Sequence, residues 1–178
     1  MNFQDTQLIG VLARAESTVS SLSSLLGGLV EKFAARGYSL YLVGGSVRDA
    51  LLGRLGNDLD FTTPARPEVV KEILDEWAET VWDTGIDFGT VSAAYKGQQI
   101  EITTFRSDSY DGQSRNPEVV YGDTLEGDLV RRDFKANAMA IELLADASFK
   151  FHDPLHGLQD IADRVLDTPD KPEISFHD

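Results

Sequence analysis

The stretch Leu40–Thr63, LYLVGGSVRDALLGRLGNDLDFTT, contains the signals that decide the fold of this 178-residue chain. It begins with an apolar run typical of a buried strand, passes through two glycines into a short helical pattern, and ends in a second strand that starts with Asp-Leu-Asp. Side chains alternate between the two faces of a strand, so Asp58 and Asp60 should point the same way while Leu59 points into the core. Two carboxylates on one face repel each other unless a positive group lies between them.

A hard cation of the Mg²⁺ type would remove this repulsion, because it prefers oxygen ligands and keeps substrate phosphates in its coordination shell. Gly44 and Gly45 let a phosphate approach the backbone closely, and the helix that follows directs its positive end to the same place. Arg48, one turn into that helix, can donate to phosphate oxygens. Together these features predict a nucleoside-triphosphate pocket. The alternatives are an ordinary tight turn, a surface carboxylate pair, and a simple ion pair for Asp49.

Composition limits the classes of protein to consider. A hydrophobic content of 42% and a charged content of 26% are ordinary globular values, and no apolar run is long enough for a membrane span. The chain has no cysteine, which excludes disulfides and thiolate metal sites and favours a cytoplasmic location. The net charge of −14 argues against non-specific nucleic-acid binding. The excess carboxylates indicate either a solubilising surface or metal ligands.

Hydrophobic periodicity predicts helices and strands that alternate at first and give way to hairpins. The predicted elements are a helix over 17–35, a strand over 40–43, a short helix over 46–53, a strand over 58–63, a helix over 67–81, two strands within 90–106 that turn at Lys96-Gly97, a polar loop over 107–128, a helical turn over 131–138, strands over 139–144 and 149–153, and a short helix, a strand and a tail over 157–178. This order predicts an α+β (mixed α/β) fold with a small mixed or antiparallel sheet flanked by helices.

Several blocks resemble one known family. LVGGSVRDALLG, NDLDF, EITTFRSDSYDG and DLVRRDFKANAMAIEL are similar, in order and spacing, to signature blocks of the class II tRNA nucleotidyltransferases and bacterial poly(A) polymerases of the DNA polymerase β superfamily. DPLHGLQDI resembles the block that closes the head domain of that family. The resemblance covers residues 40–176 and implies a polymerase β-like nucleotidyltransferase head. Lys135 and Ala136 depart from it, since the family usually has Thr and a β-branched residue after the Phe.

The resemblance implies metal ligands and a two-metal Mg²⁺ site. Asp58 and Asp60 match the carboxylates that hold the catalytic metals in the family. Glu101, on a neighbouring strand, is the candidate third ligand, with an ion pair to Arg106 or Arg48 as the alternative. Such a site activates a 3′-hydroxyl and stabilises the leaving pyrophosphate.

The resemblance also implies nucleotide contacts. The residues that match them are Gly44, Gly45, Arg48 and Arg132. Asp133 and Asn137 are candidates for orienting the sugar or the arginines, although Asp133 could equally cap a helix. The supporting residues are Asp49, Arg106 and Arg131, and the residues that match the flexible loop of the family are Tyr110, Asp111 and Arg115.

The function that the resemblance implies is addition of CCA to tRNA 3′ ends from CTP and ATP. Poly(A) polymerase, CC-adding and A-adding enzymes share these motifs, and a Mg²⁺-NTP-binding module without catalysis or an acidic interaction domain are further alternatives. We expect a helical extension over 1–37, the head over 38–155, and the head closure with the start of a truncated neck over 156–178. Base selection and most tRNA contacts are expected in later domains of the family, so the chain alone should be poorly active.

Overall fold

The computed structural model describes residues 3–107, 120–132, 138–146 and 148–154. The elements predicted over 157–178 lie outside the described residues. The helices are α1 (Phe3–Ala35), α2 (Gly45–Leu51), α3 (Pro67–Trp77) and α4 (Leu125–Val130). The strands are β1 (Leu40–Val43), β2 (Asp58–Thr63), β3 (Thr80–Trp82), β4 (Thr90–Tyr95), β5 (Gln98–Thr104), β6 (Ala140–Leu143) and β7 (Phe149–His152), and a 3₁₀ turn over Ile86–Phe88 joins β3 to β4.

The described strands form a seven-stranded sheet in the order β3-β4-β5-β2-β1-β6-β7. β2 and β5 run parallel, with Asp60 opposite Glu101. The other neighbouring strands of this sheet pair antiparallel. This mostly antiparallel mixed sheet with its helices confirms the predicted α+β fold class.

The two faces of the sheet differ in chemistry, because side chains alternate along each strand. One face carries the buried residues Leu42, Phe61 and Ile102, which pack with α1, α2 and α3 into the main core. The opposite face carries the acidic residues of β2 and β5. A smaller apolar cluster on that face, formed by Val43, Leu129, Ala138 and Ala140, holds α4 against the sheet. The fold therefore leaves the carboxylates outside the core and brings α4 to their side of the sheet.

Helix α1 begins at Phe3, well before the residue 17 predicted from periodicity. Its buried residues include Val11, Ala15, Val19 and Leu26, which continue one apolar face toward the N-terminus. Val11 and Ala15 are small, so the earlier turns give a weaker hydrophobic signal than the leucines after them. Trp77 of α3 packs 3.6 Å from the position that a Cβ on Gly28 would occupy.

The helix predicted over 67–81 is wrong at its C-terminal end. α3 ends at Trp77, and Ala78 adopts an extended conformation with ψ of 158°. The following residues form β3, in which Thr80 pairs with Ala94 and Trp82 with Ser92 of β4. Pairing with β4 satisfies the backbone groups of a segment rich in β-forming residues, and this tertiary contact overrides the helical pattern.

The polar loop predicted over 107–128 is wrong at its C-terminal end as well. Helix α4 begins at Leu125, and the Thr124 hydroxyl caps it by accepting a hydrogen bond of 3.2 Å from the Gly127 amide. Residues 120–122, before this helix, pair with residues 105–107, since Ser107 N donates to Val120 O and Gly122 N donates to Phe105 O. The helix is too short to show periodicity, so the cap is its local signal.

The strands predicted over 139–144 and 149–153 are confirmed as β6 and β7. Within the described part of the chain, no helix has the combination of length and apolar character that crossing a bilayer requires.

Candidate active site

The turn between β1 and α2 requires glycine and brings the backbone next to charged side chains. Gly44 has φ of 63° and ψ of −140°, a conformation that only glycine adopts readily. A Cβ at this position would lie 3.9 Å from Asp60 Oδ2 and 4.0 Å from Arg132 Nη1. Gly44 therefore marks the point where the backbone, a carboxylate and a guanidinium converge.

Ser46 fixes this turn to the acidic strand. Its hydroxyl oxygen accepts a hydrogen bond of 2.9 Å from the Asp60 amide and lies 3.5 Å from the Asp58 carbonyl. The side chain is buried, with 4% of its surface exposed. Sequence reasoning missed this role, although the serine directly after Gly44-Gly45 was a usable signal.

The predicted carboxylates lie together on one face of the sheet. Asp58 and Asp60 alternate with buried Leu59 on β2, and Asp60 is aligned with Glu101 on parallel β5. Partial desolvation raises the pKa of Asp60 above its ordinary value, and the charge of Glu101 and a hydrogen bond between the two carboxyl groups raise it further. Asp58 adds to this shift, while Arg132 opposes it. Repulsion among the carboxylates thus outweighs the attraction of the nearby arginine.

This donor set suits a hard divalent cation. The side chains of Asp58, Asp60 and Glu101 offer carboxylate oxygens only, and a cation bound among them would relieve the repulsion from Glu101 that, after burial, raises the pKa of Asp60. In the described ranges, no three Asp, Glu, His or Cys side chains are already arranged around a metal position. Mg²⁺ is usually held by one or two carboxylates together with substrate phosphates, so a closed protein cage is not required.

Two arginines lie on the glycine side of the carboxylates. The Arg48 guanidinium folds back over the start of α2, with Nη2 at 3.2 Å from the position that a Cβ on Gly45 would occupy. Arg132 reaches the same region from the end of α4 and lies beside Gly44. Asp49 follows Arg48 on α2 and is half-buried. The structure therefore brings Arg132 to the predicted glycines and Arg48, from which it is distant in the sequence.

A buried carboxylate, Asp128, organises the arginine side of the site. Its Oδ2 accepts a hydrogen bond of 3.1 Å from Arg132 Nη2, and its Oδ1 accepts one of 3.0 Å from the Arg106 amide. Arg131 Nε lies 3.7 Å from Oδ1. The Arg106 side chain donates to the Phe88 carbonyl oxygen. Sequence reasoning missed Asp128, whose signal was an acid four residues before Arg132 at a helix end.

The remaining predicted site residues lie outside the described residues. They are the loop residues Tyr110, Asp111 and Arg115, and the sugar-side candidates Asp133 and Asn137. Their roles stay predictions.

Comparison with known proteins places this site in a family. The profile of the family described as "Poly A polymerase head domain" matches residues 40–167. A CCA-adding enzyme of Listeria innocua serovar 6a is 40% identical over 151 residues, which cover 84% of this chain and 36% of the relative. A CCA-adding enzyme of Lactobacillus helveticus is 42% identical over 143 residues, which cover 80% of this chain and 34% of the relative. The chain thus spans about a third of the length of these relatives.

Solved structures agree with the sequence comparison. The Bacillus stearothermophilus CCA-adding enzyme in complex with CTP is 37% identical, with a TM-score of 0.62, and the match covers 78% of this chain and 31% of that one. A tRNA nucleotidyltransferase complexed with a primer tRNA and an incoming ATP analog is 29% identical, with a TM-score of 0.59, and the match covers 82% and 36% of the two chains. The profile match, these relatives and the shared fold establish that the chain belongs to the poly A polymerase head domain family, to which its motifs pointed.

Proposed function

We propose that this chain acts as the head domain of a template-independent tRNA nucleotidyltransferase that adds CCA to tRNA 3′ ends from CTP and ATP. The observation that carries the proposal is the convergence of Asp60 and Arg132 on Gly44, where each side chain lies within 4.0 Å of the position that a Cβ would occupy. A carboxylate, a glycine backbone without a side chain and a guanidinium at one place suit a nucleoside triphosphate. The names of the relatives, and the CTP, tRNA and ATP analog in the related structures, support this choice of substrates.

Nucleotidyltransferases of this family generally use a divalent metal. In this chain, Asp58 and Asp60 would hold Mg²⁺ in a two-metal site, with Glu101 as a third ligand. When bound, the metal supplies positive charge that favours ionisation of the attacking 3′-hydroxyl and stabilises the leaving pyrophosphate. The carboxylate-only donor set and the raised pKa of Asp60 support this assignment.

The other site residues would bind and orient the triphosphate. Because Gly44 and Gly45 have no side chains, the phosphates could approach the backbone closely there. Arg48 and Arg132, which lie beside these glycines, would donate hydrogen bonds to the phosphate oxygens. This placement would turn the α-phosphate toward the carboxylates, where the 3′-hydroxyl oxygen attacks the phosphorus and pyrophosphate leaves. Phosphate contacts carry no base information, so base selection must come from groups other than these.

The variant Asp58→Ala, made in the protein that contains this chain, tests the proposal. Incorporation of labelled CTP and ATP onto tRNA lacking CCA should fall by about a hundredfold or more, because the charge stabilisation at the reacting phosphate is lost. Asp87→Ala, which removes an exposed carboxylate from the turn after β3, is the matched control and should retain activity. Circular dichroism checks that both variants are folded. Transfer by Asp58→Ala at the wild-type rate would contradict the proposal.

Poly(A) addition is the second candidate, because the description of the matching family names that activity. The same assay with ATP alone and an RNA primer separates the candidates, since a poly(A) polymerase extends the primer by many residues. Nucleotide binding without incorporation would instead indicate a binding module. The cytoplasmic location and the domain boundaries at 37/38 and 155/156 stay predictions.

A further inference from the structure

Asp128 is a buried acidic residue near the site, and the proposed nucleotide chemistry assigns it no role. It lies in the last turn of α4 and has 1% of its surface exposed. A buried carboxylate is costly unless hydrogen bonds and positive charge compensate it. Here both oxygens have partners, the Arg106 amide at Oδ1 and Arg132 Nη2 at Oδ2. The Thr62 hydroxyl, whose nearer acceptor is the Thr103 carbonyl, lies 3.4 Å from Oδ2.

The contact to Arg132 controls the direction of a guanidinium. Arg132 follows the end of α4, and about a quarter of its side chain is exposed (26%). Its Nη2 is anchored on Asp128, while Nη1 lies beside Gly44. A guanidinium is planar and rigid, so fixing one terminal nitrogen restricts where the other one points. The anchored arginine therefore presents Nη1 toward the glycine turn without help from a ligand.

The three arginines around Asp128 contact it in different ways. Arg106 contacts the buried carboxylate through its backbone amide, and Arg131 and Arg132 approach it with their side chains. Desolvation lowers the pKa of Arg106, and the neighbouring charge of Arg131 lowers it further while Asp128 opposes the shift. Burial is the main cause of the shift at Arg106, whereas Arg132 is the arginine whose guanidinium donates a hydrogen bond to Asp128. At the turn, Arg132 Nη1 and Asp60 Oδ2 both approach the position that a Cβ on Gly44 would occupy, so an arginine held there faces the place where the triphosphate would lie.

We propose that Asp128 is a positioning residue, which holds the Arg132 guanidinium in the orientation that receives the triphosphate before the nucleotide binds. The inference rests on the proposed function for the identity of the anion. Without the anchor, the nucleotide would have to order the Arg132 side chain as it binds. Immobilising one long side chain weakens binding by about three- to tenfold.

Asp128→Asn tests the proposal, because it keeps the volume of the side chain and removes the charge. Calorimetric titration of the chain with Mg²⁺-ATP should show affinity about three- to tenfold weaker than wild type. Glu126→Gln, an exposed charge change on the same helix, is the matched control and should leave the affinity unchanged. In an Arg132→Ala background, Asp128→Asn should cause no further loss, because the two residues act through one contact.

A second variant keeps the test valid if Asp128→Asn does not fold, as judged by its thermal melt. Arg132→Lys keeps the positive charge but cannot span Asp128 and the glycine turn with a rigid fork. It should weaken ATP binding to a similar extent, and wild-type affinity in this variant would overturn the positioning role.

The outcomes separate this inference from the proposed function. Unchanged affinity in Asp128→Asn, or an equal loss with and without Arg132, would overturn the inference alone. Failure of the wild-type chain to bind Mg²⁺-ATP would overturn the proposed nucleotide site, and the inference with it. Loss of affinity in Asp128→Asn that disappears in the Arg132→Ala background would support both.

Discussion

Replacing Asp60 by Asn should stabilise the metal-free chain at neutral pH. Asp60 is aligned with Glu101 across the parallel pair β2 and β5, and its pKa is raised by desolvation and by the charge of that neighbour. A carboxyl group whose pKa is higher in the folded state stabilises folding at low pH, and this contribution is lost as the pH rises through the folded-state pKa. At pH 7 the ionised Asp60 therefore costs folding free energy, which Asn removes.

The magnitude follows from the sheet geometry. Favourable cross-strand pairs in antiparallel sheets contribute about 0.2–1 kcal/mol and like charges are destabilising, so we take the same range as the scale of the repulsion across the parallel pair. Asp60 is accessible to solvent, which screens the repulsion, so we expect about 0.5 kcal/mol. For a chain of this size, that corresponds to an increase in Tm of about 1–2 °C.

Thermal and urea unfolding at pH 7 and near pH 4, without divalent metal, provide the assay. The gain for Asp60→Asn should be present at pH 7 and should shrink as the pH falls toward the ordinary range of carboxyl groups. The double variant Asp60→Asn/Glu101→Gln should gain less than the sum of the single variants, since both remove the same repulsion. Asp87→Asn removes an exposed charge elsewhere and should have little effect. A lower Tm for Asp60→Asn at pH 7, or an equal gain near pH 4, would refute the reasoning.

Three other predictions concern the triphosphate side and the core. Arg48→Ala and Arg132→Ala should raise the KM for CTP and ATP alike, because phosphate contacts do not distinguish bases; steady-state kinetics would contradict this if only one nucleotide were affected. This 178-residue chain should bind CTP, ATP, GTP and UTP with affinities within about tenfold of one another by calorimetry, and a larger preference would mean that it selects bases itself. Leu26→Ala should lower the free energy of unfolding in urea by about 2–5 kcal/mol, since Leu26 is fully buried in the core shared with the sheet; a loss below about 1 kcal/mol would show that α1 contributes little to folding.

The signals that sequence analysis interpreted correctly are local. The strand, glycine turn, helix and acidic strand of residues 40–63 are each encoded within a few residues, and the structure places them as β1, α2 and β2. The errors occur where a local signal competes with a distant contact or is too short to show a period. The periodicity extends the preceding helix over β3, because the pairing of β3 with β4 cannot be deduced from the helical pattern. The sequence predicts a loop where α4 begins, because a helix of six residues has little periodicity.

Asp58 and Asp60 share a face because side chains alternate along any strand, so this feature is evident without a structure, as is the family from its motifs. Which groups meet on that face depends on the packing of the whole sheet. The parallel register of β2 and β5 sets Glu101 beside Asp60, and the seating of α4 on the sheet buries Asp128 and directs Arg132 toward Gly44. These contacts join segments that are distant in the sequence. They depend on how the whole sheet and its helices pack, which short-range patterns do not encode.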